Sequence, residues 1–240
     1  MAGMDWSAYD AVLFDLDGVL TPTAEVHMRA WDEMFNGFLS SLGDQAPYTD
    51  EDYFAYVDGK PRYEGVRSFL DSRDIELPYG DAGDDPSRRT VCGLGNRKNA
   101  TFNEVLARDG VAPYPGSVRL LDAASALGLA MAVVSSSKNA PAVLVAAGLA
   151  DRFPVVVDGT VASENGLAGK PEPATFLHAA AALGVRPSSC VIVEDAVSGV
   201  QAGAAGGFGC VLAVDRGAGA EVLRAAGADV VVHDLVEVLP

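Results

Sequence analysis

Two aspartates close the first apolar run of the chain, in Phe14-Asp15-Leu16-Asp17-Gly18. Carboxylates two residues apart in such a run are costly to bury unless they are paired or bound to a cation. Gly18 permits a sharp turn that would carry both to the mouth of a strand. Alone, the pair reads equally well as a solvated turn. The pattern recurs at Glu194-Asp195, which end the run Val191-Ile192-Val193 just ahead of a helix start; the alternative there is a helix N-cap by Asp195 or Ser198. Two acid pairs at strand ends of one parallel sheet would converge on a hard cation, and Mg²⁺ takes a few carboxylates, retained waters and substrate phosphate oxygens.

Two further pieces suit an anion. Ser135-Ser136-Ser137-Lys138-Asn139 follows an apolar strand and leads into a helix, so hydroxyls and helix-start N–H groups would form an oxyanion cradle. A plain serine cap is the equal alternative. Gly169-Lys170-Pro171 places a lysine before a proline, where its ammonium can face a phosphate; a lone loop lysine is more often a surface residue.

The elements that must position these groups are legible as short Val-, Leu- and Ile-rich runs at residues 11–15, 131–135, 154–157, 190–194, 210–214 and 229–232. Ala-rich segments of helical periodicity lie between most of them, at 118–127, 140–147, 173–183 and 197–205. Strands alternating with helices imply βαβ units and a parallel sheet, and continuous apolar runs imply strands buried on both faces. Ligands of such sheets bind at the carboxyl ends of the strands. About a hundred residues separate the first strand from the second. That gap reads as helices at 24–42, 50–57, 62–72 and 101–108, with an acidic loop at 81–85 and most of the aromatics. The expected fold is therefore α/β, a Rossmann-like parallel sheet core (residues 1–22 and 113–240) with an inserted small α-helical cap domain (23–112). The return hinge is expected near residues 111–116.

Composition narrows the function. The 240 residues are 49% hydrophobic, enough for a sizeable core, and no apolar run approaches the ~18 residues of a membrane span. Residues 1–10 lack a basic and an apolar region, so no signal peptide is expected. Three scattered cysteines, Cys92, Cys190 and Cys210, show neither metal spacing nor a disulfide framework, and a cytoplasmic setting is expected. The net charge of −16 opposes nucleic acid and anionic membranes and would repel a phosphorylated substrate. Any phosphate site must therefore be built locally from the 17 lysines and arginines, backbone N–H groups and metal.

Taken in order, Asp-x-Asp-Gly-Val, a strand-end serine, Lys-Pro and Glu-Asp closely resemble the motifs of the haloacid dehalogenase superfamily, across the whole core. Within it the likeness is to the beta-phosphoglucomutase family. Four local features carry that: residues 14–21 followed by Thr23-Ala24-Glu25, His27 and Trp31; Gly59-Lys60-Pro61-Arg62; Arg97-Lys98-Asn99; and the Ser135–Asn139 stretch. The chain departs from the pattern at Pro61, in a long acidic stretch over 71–85, and in an expanded segment over 158–169.

The resemblance implies a covalent phosphate on Asp15, with Asp17 as acid and base, Ser135 and Lys170 holding the transferring oxygens, and Mg²⁺ held by Asp15, Asp17, Glu194 and Asp195. Thr23 and His27 would link the cap to acid/base alignment. Arg62, Lys98, Ser136, Ser137, Asn139, Gly59 and Trp31 would contact the substrate, a phosphorylated sugar (a glucose phosphate), with a monomer expected. Each cap residue has an alternative: His27 a packed helix-face histidine, Arg62 a partner of Glu64 or the acidic loop, Lys98 a solvated helix-start lysine, and Trp31 cap core. The rival functions are a sugar-phosphate or other small organophosphate phosphatase and, more remotely, a non-catalytic binding protein on the same fold. A dehalogenase needs neither Asp17 nor a second phosphate pocket.

Overall fold

The computed structural model describes residues 4–43 and 45–240. It divides into two compact units, one comprising residues up to Pro22 together with Val111–Pro240, the other Thr23–Gly110.

The first unit is built on six parallel strands, β1 (Ala11–Phe14), β2 (Ala130–Val134), β3 (Val155–Val157), β4 (Cys190–Glu194), β5 (Cys210–Val214) and β6 (Val230–Val232), in the order β3-β2-β1-β4-β5-β6. The chain works outward from β1 to β3, then crosses to the other side of β1, so β1 and β4 flank the point where strand order reverses. Ligands of open α/β sheets bind there. Register fixes the level: Phe14 pairs with Val133 on one side and Val193 on the other, which puts Asp15 beside Glu194. Every residue of β1, β4 and β5 is buried, as continuous apolar runs require.

The second unit is helical: α1 (Thr23–Ser40), α2 (Asp50–Asp52) running into a π-helical turn at Tyr53–Val57, α3 (Arg62–Ser72) and α4 (Val91–Asp109). Its own apolar centre contains Trp31, Met34, Phe35, Phe38, Phe69 and Leu94. Two helical expectations need correction. The expected single helix over 50–57 changes character at Tyr53, whose ring and that of Val57's neighbour Tyr56 turn into the aromatic cluster around Phe69. The last helix starts ten residues earlier than expected, at Val91 rather than 101. Thr90 caps it, accepting from the Gly93 N–H at 2.9 Å, a contact of a kind that contributes about 1 kcal/mol. Gly93 and Gly95 lower helix propensity enough to hide that first turn. Lys98 accordingly lies mid-helix and buried, not at a solvated helix start.

The core's helices are α5 (Pro115–Ala126), α6 (Ala140–Ala146), α7 (Gly159–Glu164), α8 (Ala174–Leu183), α9 (Val197–Ala205) and α10 (Ala220–Ala226). The expanded segment at 158–169 thus holds a helix, capped by Asp158, which accepts from Thr160 N and Val161 N. Among the described residues, no helix is long and apolar enough to cross a membrane.

Candidate active site

Lys170 is the centre of the site. It is 2% exposed, and its Nζ donates to Asp15 Oδ1 at 2.5 Å, Glu194 Oε1 at 2.5 Å and the Val134 carbonyl at 3.2 Å. An ammonium has three donors, so all are used. The Phe176 ring lies 5.0 Å away. Burial alone would push the lysine's pKa down; Asp15 and then Glu194 outweigh it and drive it up, so it stays charged. Burial pushes the Asp15 carboxyl well above the ordinary carboxylate range, against the pull of Lys170, with Glu194 and Asp17 adding to the rise. Such a group invites a further cation.

Asp15, Glu194 and Asp195 are all buried and offer carboxylate oxygens within 4.8 Å of one another. The donor set is all oxygen, and three buried carboxylates stand against one ammonium. That chemistry fits a hard divalent cation. Glu194, fully buried, also accepts from Asp195 N and Ala196 N through Oε2, so both its oxygens are engaged. Two glycines make room for these acids. A Cβ on Gly18, whose φ is +81°, would fall 1.7 Å from Asp195 Oδ2, and one on Gly199 would fall 1.8 Å from Glu194 Oε1. Gly199→Ala should therefore cost about 1–3 kcal/mol, as overpacking does, and lower divalent-cation affinity. Thermal melts with and without MgCl₂ check this; an unchanged transition would mean Glu194 can move aside freely.

Asp17, half-buried, sits in a turn closed by Gly18 N–H to Thr21 O (2.8 Å) and Leu20 N–H to Leu16 O (2.9 Å). Arg216 steadies the same turn, its Nε donating to Gly18 O at 2.8 Å while its guanidinium lies 3.9 Å from the Tyr114 ring. A lone arginine after β5 gave no signal in the sequence.

Ser135 is buried beside β3, donating its N–H to Val157 O. The serine run is partly tied to its own backbone. Ser135 Oγ accepts from Ser137 N and Ser137 Oγ from Asn139 N, both at 3.1 Å, and α6 is a short helix of seven residues. Ser136 and Asn139 are half-buried and Lys138 is exposed.

In the helical unit, Thr23 is buried at the start of α1. His27 stacks on Phe102 with centroids 4.0 Å apart, and its Nδ1 contacts Lys98 Nζ. The Lys98 ammonium lies 5.0 Å from the Trp31 ring and 5.1 Å from Phe102. Trp31 is itself 5% exposed and stacked on Phe35, packed beneath Lys98, which is the cap-core alternative for this residue. Gly59 lies in the loop before α3 with φ +69°. Among the described residues, Arg62 donates to Asn96 Oδ1 at 3.3 Å and Asn99 Oδ1 at 3.0 Å, and no bond to Glu64 is found. Phe102 and Asn96 went unremarked in the sequence because an apolar or amide side chain inside a helix carries no chemical signature.

A parallel sheet whose switch point gathers carboxylates around a captive lysine suits an enzyme of phosphoryl transfer. A model of the haloacid dehalogenase-like hydrolases matches residues 9–207. A beta-phosphoglucomutase of Mycobacterium bovis is 49% identical over 239 residues, covering 95% of this chain and 91% of that one. A beta-phosphoglucomutase structure from Clostridium difficile is similar with a TM-score of 0.77 at 24% identity, covering 95% of this chain and 92% of that one. CbbY from Rhodobacter sphaeroides, solved in complex with xylulose-(1,5)bisphosphate, has a TM-score of 0.73 at 24% identity, covering 95% and 96%. The last two speak to the fold. The chain belongs to the haloacid dehalogenase-like hydrolase family, and is an enzyme, a mutase or a phosphatase.

Proposed function

We propose that this enzyme is a beta-phosphoglucomutase that interconverts β-glucose 1-phosphate and glucose 6-phosphate. One observation carries the choice of a mutase. Among the described residues, Arg62 is a half-buried guanidinium held by the amide oxygens of Asn96 and Asn99 and by Tyr63, all uncharged partners. A cation kept that way is ready for an anion, and a mutase working through a bisphosphate needs a second phosphate grip where a phosphatase of a monophosphate does not. The likeness to the mycobacterial mutase supports the same reading.

In this reading a carboxylate oxygen of Asp15 attacks phosphorus. The bond to the leaving oxygen breaks, and Asp17 supplies the proton that oxygen needs. Asp17 then takes the proton of the sugar hydroxyl that attacks the aspartyl phosphate, restoring Asp15. Lys170 and the Ser135 hydroxyl hold the transferring oxygens, where loss of one well-placed donor costs about 10²–10³ in rate. Mg²⁺ would be held by Asp15, the backbone carbonyl of Asp17 and Asp195, with the charge of Glu194 close by, and would supply neutralisation of the phosphoryl oxygens. Arg62 and Lys98 bind the phosphate that is not under attack, with His27 orienting Lys98. Ser136, Ser137 and Asn139 offer hydroxyl and amide groups to the substrate.

Phosphorus NMR of the enzyme with MgCl₂, β-glucose 1-phosphate and trace glucose 1,6-bisphosphate should show glucose 6-phosphate growing in. Stoichiometric inorganic phosphate without glucose 6-phosphate would replace this reading with the phosphatase.

A further inference from the structure

Asn96 is a hub that no part of the reaction above uses. Its Nδ2 donates to two backbone carbonyls of the acidic turn, Ala82 O at 3.0 Å and Asp84 O at 2.9 Å. Its Oδ1 accepts from Arg62 Nη1 at 3.3 Å and from the Tyr63 hydroxyl at 2.9 Å. Two acceptors at one end and two donors at the other leave the amide a single orientation. The turn that orients it is itself tightly tied. Asp84 Oδ2 accepts from Thr90 Oγ1 (2.6 Å) and Asp81 N, Asp81 Oδ1 accepts from Gly83 N, and Asp85 Oδ1 from Ser87. Its carboxylates are thus spent locally, and what it presents to Asn96 is carbonyl oxygen. The amide passes the geometry of the turn to Arg62 and none of its charge.

We propose that Asn96 is the positioning residue for Arg62. It fixes one edge of the guanidinium while Asn99 fixes the other, so that the remaining N–H donors meet a phosphate with the positive charge intact. Aspartate at this place would do the opposite. It is the same size, but it would neutralise Arg62 and lose both donors to the turn. The proposal rests on the reading of Arg62 as the grip on a second phosphate.

The test is titration calorimetry of glucose 1,6-bisphosphate with MgCl₂, on the full chain carrying Asp15→Asn so that nothing turns over. To that parent are added Asn96→Asp, Arg62→Ala, and both. Asn96→Asp should weaken binding about ten-fold, the order for losing a hydrogen-bonded charged contact. It should leave the affinity for inorganic phosphate within two-fold and add nothing further once Arg62 is alanine. Parent-like binding by Asn96→Asp while Arg62→Ala is weakened overturns the proposal and leaves the grip standing. So does an equal further loss in the double variant, which is what general damage to the helical unit would give. Parent-like binding by Arg62→Ala removes the grip itself and the proposal with it.

Discussion

Asp15→Asn should fold as the native chain does and lose about 10⁴-fold or more in turnover, in line with removal of a nucleophile elsewhere. The two side chains match in size. Lys170 keeps Glu194 and the Val134 carbonyl as acceptors, and the amide oxygen of the substituted side chain can take the third donor. Removing a carboxylate whose pKa burial has already raised relieves desolvation, so stability should shift by no more than about 1 kcal/mol. The loss is therefore chemical: an amide cannot form the aspartyl phosphate. Rapid acid quench followed by peptide mass analysis should find one phosphoryl group on the peptide containing Asp15 in the native enzyme and none in the variant. Retained turnover with a folded variant would remove Asp15 from the reaction.

Lys170→Met should be the most damaging single change to the fold among the site residues. Methionine fills the lysine's volume beside Phe176, so packing survives and the effect is electrostatic. Two buried carboxylates lose their shared counter-charge, which typically costs about 3–5 kcal/mol, or roughly 10 °C in melting temperature for a chain of this size. The sign with pH follows from Asp15. Its folded pKa is raised above the unfolded value, and losing Lys170 raises it further. A raised carboxyl adds stability below the unfolded pKa and forfeits it as pH climbs through the folded one. The deficit should thus be small near pH 4 and grow toward pH 8. In the native protein the raised pKa of Lys170 adds stability that is fully present at neutral pH and is lost only in strong alkali. MgCl₂ should narrow the variant's deficit by binding the folded state. Melts across pH, with chelator and with MgCl₂, read all of this. A deficit of constant size at every pH would assign the effect to packing instead.

The sheet was legible because burial on both faces leaves an unambiguous mark, and Ala-Val-Leu-Phe and Cys-Val-Ile-Val can be little else. Acids at the ends of such runs stand out against them, which is why Asp15 and Glu194 could be expected at one edge before any register was known. The first turns of α4 were not legible, since Gly93 and Gly95 argue locally against the helix that tertiary packing imposes. Nor was α7, whose capping Asp158 looks like one more acid in a polar stretch. Serine was ambiguous for a related reason. In 135–139 the same hydroxyls that suit a phosphate also close turns on their own backbone. Asn96 lay beyond reach because its importance is entirely in its partners, which come from a loop and from another helix.

Gly18 and Gly199 carry no chemistry, yet each faces a carboxylate of the cluster at a distance no side chain could share. The acids alone are therefore an incomplete signature. A descendant could keep every acid and still lose the space those acids occupy through one silent-looking change, glycine to alanine, one residue after the second aspartate or five after the glutamate. Anyone sorting uncharacterised genomes for active enzymes of this kind would do well to read those two offsets first, since they separate a working acid cluster from a fossil of one.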